Sequence, residues 1–153
     1  MIWKPHVTVA AVVERDGRFL IVEEIVKDQR VYNQPAGHLD PGESLIEAVV
    51  RETREETGWR FYPEALIGIQ LWRHPQHGKT FLRFSFCGDC SDHDANAELD
   101  TGIIHALWLS RDELADADRK LRSPMVLRSI DDYLQGKRCS LDILEQIGIE
   151  ADC

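Results

Sequence analysis

The chain has 153 residues, 43% of them apolar, enough to fill one compact core. Its net charge of -9 excludes the clustered basic footprint that nucleic-acid binding requires. The longest apolar run, Val9 to Val13, is far too short to span a bilayer, and Met1 to His6 carries no basic-then-apolar leader, so an unprocessed soluble, cytoplasmic protein is expected.

Pro5 to Glu14 and Arg18 to Glu24 flank Asp16-Gly17, a dipeptide that favours a tight hairpin turn, and predict two antiparallel strands. An extended piece follows around Val31 to Gln34. Ser44 then opens a helix over Leu45 to Thr57, with Glu47 three places on to complete a capping box and Gly58 as the left-handed stop. Leu66 to Arg73 and Lys79 to Cys87, rich in Ile, Trp and Phe and separated by Pro75-Gln76-His77-Gly78, predict a second hairpin. Gly88 to Gly102 is acidic and aperiodic, a surface loop, and Ile103 to Leu109 is the last strand. Ser110 to Glu113 is a second capping box opening a short helix. A further helix begins at Ser123-Pro124, with Val126, Leu127, Ile130, Tyr133 and Leu134 at helical spacing and Gly136 to end it. A last turn or two covers Ser140 to Ile147. Strands, one central helix, more strands and closing helices predict a single domain over residues 1–153, of the α/β or α+β class, with a mixed sheet packed between helices.

The four cysteines, Cys87, Cys90, Cys139 and Cys153, are expected to be reduced thiols, because a chain of this length has no need of disulfide staples. Cys87 and Cys90 form a C-x-x-C, but no second pair completes a zinc set and the motif closes a strand.

The helix over Leu45 to Thr57 changes character halfway. Leu45, Ala48 and Val49 make an apolar, inward-facing stripe. At about 100° per residue, Glu52 and Glu56 then continue the line of Leu45 and Val49, with Glu55 to one side. Carboxylates at this spacing raise the cost of ionising one another, and burial adds to it. Arg51 reaches Glu55 at i, i+4, whereas Arg54 points away. Two readings stay open on these grounds: a solvated acidic face, or a cradle for a hard divalent cation such as Mg²⁺ or Mn²⁺, which prefers oxygen ligands.

The wider spacing is more specific. Gly37, five residues, Glu43, seven residues, Arg51-Glu52, two residues, Glu55-Glu56, one residue, Gly58 resembles the Nudix box at all of its fixed positions, a match expected by chance on the order of once in a billion starts. The box covers about one seventh of the chain, Gly37 to Trp59. Trp108 to Leu114 is also similar to the strand-to-helix segment that follows the box in that family. The resemblance implies a Nudix fold, with a mixed sheet between helices, and a hydrolase of diphosphate linkages that depends on Mg²⁺ or Mn²⁺. It implies Glu52, Glu55 and Glu56 as metal ligands, one of them a general base through water, Gly37 lending its carbonyl, Glu43 supporting the site and Arg51 holding a glutamate in place.

There are departures. Thr53 stands where a bulky aliphatic residue is usual, and Gln34-Pro35-Ala36-Gly37-His38 has one glycine after the proline where many members have two. Where some members take a base from the loop or strand before Trp108, this chain has Ile104 and His105 at the nearest positions, and Glu98 or Asp100 in the acidic loop could substitute. Lys4 to Ala10, Asn33 to Leu39, Phe81 to Phe84 and Leu121 to Pro124 look like the bacterial NudJ-type phosphatases. That resemblance implies a small substrate such as hydroxymethylpyrimidine diphosphate, thiamine diphosphate or a nucleoside di- or triphosphate. Nucleotide sugars, ADP-ribose and dinucleoside polyphosphates are the alternatives, as is a non-catalytic nucleotide sensor. Candidate substrate contacts are Gln34, His38, Arg83 and Trp72, while His74, His77 and His93 are expected to be solvated loop residues. Monomer and homodimer are both compatible with the sequence.

Overall fold

A computed structural model describes residues 1–148; the reading of Cys153 lies outside the described residues. The strands are β1 (His6–Val12), β2 (Glu14–Arg15), β3 (Arg18–Val26), β4 (Gln29–Asn33), β5 (Ala36–His38), β6 (Arg60–Arg73), β7 (Thr80–Ser91) and β8 (Ile103–Ser110). The helices are α1 (Leu45–Thr57), α2 (Arg111–Leu114) and α3 (Met125–Leu134), and one 3-10 turn covers Leu141–Ile143.

Two sheets form. The first has the order β5-β1-β7-β6, with β1 and β7 parallel and the outer pairings antiparallel. In the second, β3 pairs with β8 along one edge and with β2 and then β4 along the other. The expected first hairpin is therefore corrected. Asp16 and Gly17 do form its turn, both at positive φ, but only Glu14 and Arg15 pair with β3. The chain breaks at Val13, and β1 crosses into the other sheet. The physical reason is burial on both faces: Val9 to Val13 are at most 1% exposed, so β1 belongs between two neighbours and between two cores, rather than at the side of a hairpin.

Those two cores lie on opposite faces of the strands. Val9, Ala11, Val13, Leu20 and Phe86 pack with Ala48 and Val49 of α1. Val12, Phe19, Ile21, Ile67 and Cys87 pack with Ile130 of α3 and Leu114 of α2. Period-2 alternation along each strand sends neighbours to different helices, which makes the helix/sheet/helix sandwich of the Nudix fold.

Smaller differences have local causes. The acidic loop is shorter than expected, because Gly88 to Ser91 extend β7 against Arg60–Pro63 of β6. Gly88 permits this, since a Cβ there would sit 2.0 Å from the Tyr62 carbonyl oxygen. Ser44 accepts from the Glu47 amide at 3.0 Å, half of the expected capping box, while Ser110 and Glu113 make both bonds of theirs. Of Ser140 to Ile147, only Leu141–Ile143 is helical.

Candidate active site

The helix α1 brings the box together as its spacing required. Ser44 caps its start and Gly58, at φ 76°, its end. Leu45, Ala48 and Val49 anchor the first half in the core, so the second half must present Glu52 and Glu56 to the same side, and each is only 8% exposed. Thr53 is fully buried and satisfies its hydroxyl on the Val49 carbonyl at 2.8 Å, which accommodates the departure at that position.

Arg51 is the organising cation. Its guanidinium donates to Glu43 at 2.6 and 2.9 Å, to Glu52 at 2.8 Å, to Glu55 at 3.1 Å and to the His38 carbonyl at 3.0 Å. These bonds raise its pKa further and hold the Glu43 carboxyl below the usual carboxylate range. Glu43 also accepts from the Asp40 amide at 2.7 Å, tying the loop before α1 to the arginine. Arg54, by contrast, turns away to the Gly58 and Asp92 carbonyls.

The glutamates differ in their surroundings. Burial pushes the Glu52 carboxyl up against the pull of Arg51. Glu56 is driven up to about 9 by burial, opposed by one bond from the Ala36 amide and reinforced by the charges of Glu24, Glu52 and Asp100. Glu55 is the open one, its side chain 41% exposed. Among the described residues, Glu52, Glu55 and Asp100 offer carboxylate oxygens within 4.8 Å of one another. Glu56 lies outside that group, behind the Ala36 amide. Asp100 enters because its backbone amide donates to the Glu55 carbonyl at 3.0 Å, which folds the acidic loop onto the end of α1. Glu98 stays exposed and outside the cluster. Gly37 sits against Glu52 so closely that a Cβ would be 2.1 Å from the carboxyl carbon.

A cleft of about 740 Å³ opens beside these residues, reached by Gly37, Glu52 and Glu56 at one part and by Trp72, Phe81 and Arg83 at another. Arg83 is 3% exposed, and burial lowers its pKa to about 10. It donates to Gln34 at 2.6 Å, and its Nε–H has no protein partner. Gln34, a candidate substrate contact from the sequence, is held by protein partners. It is 1% exposed and bridges Arg83 to the Val126 carbonyl of α3 at 2.8 Å, so it supports the cleft from behind. His38 and Trp72 both line the cleft.

Sequence reasoning missed part of this lining. His77 is exposed in the β6–β7 turn as expected, but its ring stacks on that of His74 at 3.7 Å, and both line the cleft with His6. His93 instead stacks on Trp59 at 4.5 Å. The available signal was strand parity, since His6 and Thr8, Phe81 and Arg83 alternate along β1 and β7. His105 is engaged elsewhere, 2.7 Å from Glu23. Cys87 and Cys90 are free thiols that belong to opposite cores, and burial raises both, Cys90 to about 11, which suits packing rather than metal or redox work.

Residues 4–128 match the NUDIX domain family. The chain is 42% identical over 143 residues to Phosphatase NudJ of Escherichia coli strain K12, covering 93% of this chain and 92% of that protein. A NUDIX hydrolase from Nitrosomonas europaea superimposes with a TM-score of 0.91 at 50% identity, over 94% of this chain and 97% of that one. A UDP-X diphosphatase shares the fold, with a TM-score of 0.73 at 20% identity over 92% of this chain and 68% of that one. With the box residues gathered around Arg51 and the whole fold matched, the chain belongs to the Nudix hydrolase family.

Proposed function

We propose that this hydrolase cleaves the diphosphate linkage of a small organic or nucleoside phosphate with the help of a divalent cation, and that the whole chain works as one domain. The observation that carries the reading is the convergence of Glu52, Glu55 and Asp100 beside a cleft that also holds a buried arginine. Three hard oxygen donors, with a further carboxyl behind them and one arginine already shared among four acids, suit Mg²⁺ or Mn²⁺. Glu52, Glu55 and Asp100 would hold the ion, with Glu56 and the Gly37 carbonyl close by. When bound, it neutralises phosphate charge and makes water a stronger nucleophile at neutral pH.

The chain's own residues supply the rest. Arg51 fixes the rotamers of Glu52 and Glu55, and Glu43 in turn fixes Arg51, so the carboxylates need no reorganisation when substrate arrives. A carboxylate of the pair Glu52 and Glu55 accepts the proton of the attacking water. Arg83 presents positive charge from the floor of the cleft to a substrate phosphate, held by Gln34. The NudJ resemblance favours hydroxymethylpyrimidine diphosphate, thiamine diphosphate or nucleoside di- and triphosphates as substrates. The buried C-x-x-C thiols favour a reducing, cytoplasmic setting, and no helix of the described residues is long and apolar enough to cross a membrane.

Phosphate release across a panel of diphosphates, with and without Mg²⁺, tests this directly. Glu52→Gln and Glu55→Gln should each lower kcat by about 10²-fold or more. Unchanged turnover in both variants, or turnover indifferent to a chelator, would overturn the assignment.

A further inference from the structure

The outer strands of the sheets are not protected alike. At one side of the first sheet β5 is only three residues long. The β4 edge of the second is covered, with the Tyr32 amide donating to the Lys120 carbonyl at 2.9 Å and the Arg122 amide to the Tyr32 carbonyl at 2.8 Å. At the other side of the first sheet β6 is 14 residues long. Its middle is closed by Leu66, which exchanges both backbone bonds with Cys139 at 2.9 and 2.8 Å. A bulge follows, and from Gly68 to the turn at His74 the strand has β7 on one side and, among the described residues, no backbone partner on the other.

The ladder fixes which groups point outward. The His74 amide donates to the Lys79 carbonyl at 2.8 Å, so His74 faces β7 and, counting back by twos, so do Trp72, Gln70 and Gly68. Ile69 and Leu71 therefore turn their N–H and C=O groups to the open side. Their side chains lack cover as well. On the sheet face that α1 packs, the row of Ala11, Phe86 and Leu66 is buried. The next row, Val9, Phe84 and Ile69, ends with Ile69 57% exposed, and the third, Val7, Leu82 and Leu71, with Leu71 69% exposed. Substrate does not account for them: they alternate with Gln70 and Trp72, and it is Trp72 that lines the cleft on the opposite face. An unpaired, uncharged strand with exposed apolar side chains is a template for another chain.

We propose that this edge joins two copies of the chain, residues 68–72 of each pairing antiparallel about a two-fold axis at Gln70, so that the two first sheets run on as one. The stretch is its own complement. Ile69 and Leu71, both outward, exchange backbone bonds with Leu71 and Ile69 of the second copy, and their side chains gather into one apolar cluster. Gly68, with no side chain, stands opposite the Trp72 ring of the second copy, the bulkiest group of the stretch. Charge favours this contact over others. Copies of net charge -9 repel, but residues 68–72 hold no carboxylate and are followed by Arg73, so the repulsion is least here and salt screens what remains. A two-fold contact also closes on itself and leaves no free edge to propagate. Because Trp72 lines the cleft, the second copy borders one of its walls.

Sedimentation equilibrium of the full chain at micromolar concentration should give twice the 17.5 kDa chain mass. Leu71→Lys and Ile69→Lys replace exposed side chains, and each should raise the dimer dissociation constant at least about tenfold with helix content by circular dichroism unchanged. Cysteine cross-linking reads the register, in a background of Cys139→Ser and Cys153→Ser. Chains carrying Ile69→Cys, mixed with chains carrying Leu71→Cys, should form a disulfide on mild oxidation, because these two positions stand directly opposite at about 5.5 Å between Cα atoms. Either variant alone should cross-link far less. A monomeric mass for the wild type, a dimer that survives both lysine variants, or cross-links that form as readily in one cysteine variant alone overturns the proposed interface.

Discussion

Gly37 holds its place because of what lies under it. A methyl group there would occupy the space of the Glu52 carboxyl, whose carbon is 2.1 Å from the ideal Cβ position. Gly37→Ala should therefore displace Glu52 and lower kcat by about 10²-fold, with little change in helix content by circular dichroism. Glu56 allows a prediction of opposite sign. In the metal-free protein its pKa is raised from 4.5 to about 9, chiefly by burial, so the stability it confers is complete below its unfolded pKa and is lost as pH rises through the folded value. With a chelator present, Glu56→Gln should match wild type in Tm near pH 4 and exceed it at pH 8. A Tm difference that stays constant across that window would refute the assignment. Of the individual residues, the box glutamates and Arg51 were legible from spacing alone. Gln34 was not, because its partners, Arg83 and Val126, are 49 and 92 positions away.

At the scale of elements, α1 and the loop after β7 form one unit. The helix is capped by Ser44, and Ser44→Ala should lower stability by about 1 kcal/mol in urea unfolding. Its far end is held by loop contacts, with Asp94 donating to the Gly58 carbonyl at 3.0 Å and Asp100 to that of Glu55 at 3.0 Å. Those bonds set the Asp100 carboxylate beside Glu52 and Glu55. Asp100→Asn should then weaken Mn²⁺ binding about tenfold or more while leaving Tm in a chelator nearly unchanged. The helix was readable from its 3.6-residue period and caps, whereas β1 was misassigned to a hairpin. An apolar run buried on both faces has no alternation to show which strand it will pair with, and the turn at Asp16-Gly17 fixed only the two residues before it.

Across the whole molecule, a chain of net charge -9 binds an anionic substrate only where that charge is locally reversed. Arg83 and a cation held by α1 would do this at one cleft. Divalent cation at about a hundred times its Kd should stabilise the fold by about 2.7 kcal/mol, a Tm rise of several degrees that Glu52→Gln abolishes. A melting temperature indifferent to Mg²⁺ and Mn²⁺ would contradict the reading. By itself the sequence determined the helix α1, the facing of its glutamates and the family to which they belong, because these depend on spacings within one helical element and its flanking loops. The pairing of β1 with β7, the arrival of Asp100 and the open edge of β6 were decided only in the tertiary structure. Each depends on which distant segments share a sheet edge or a helix end, and those contacts form through loop closure and burial on both sides of a strand, which no local pattern records.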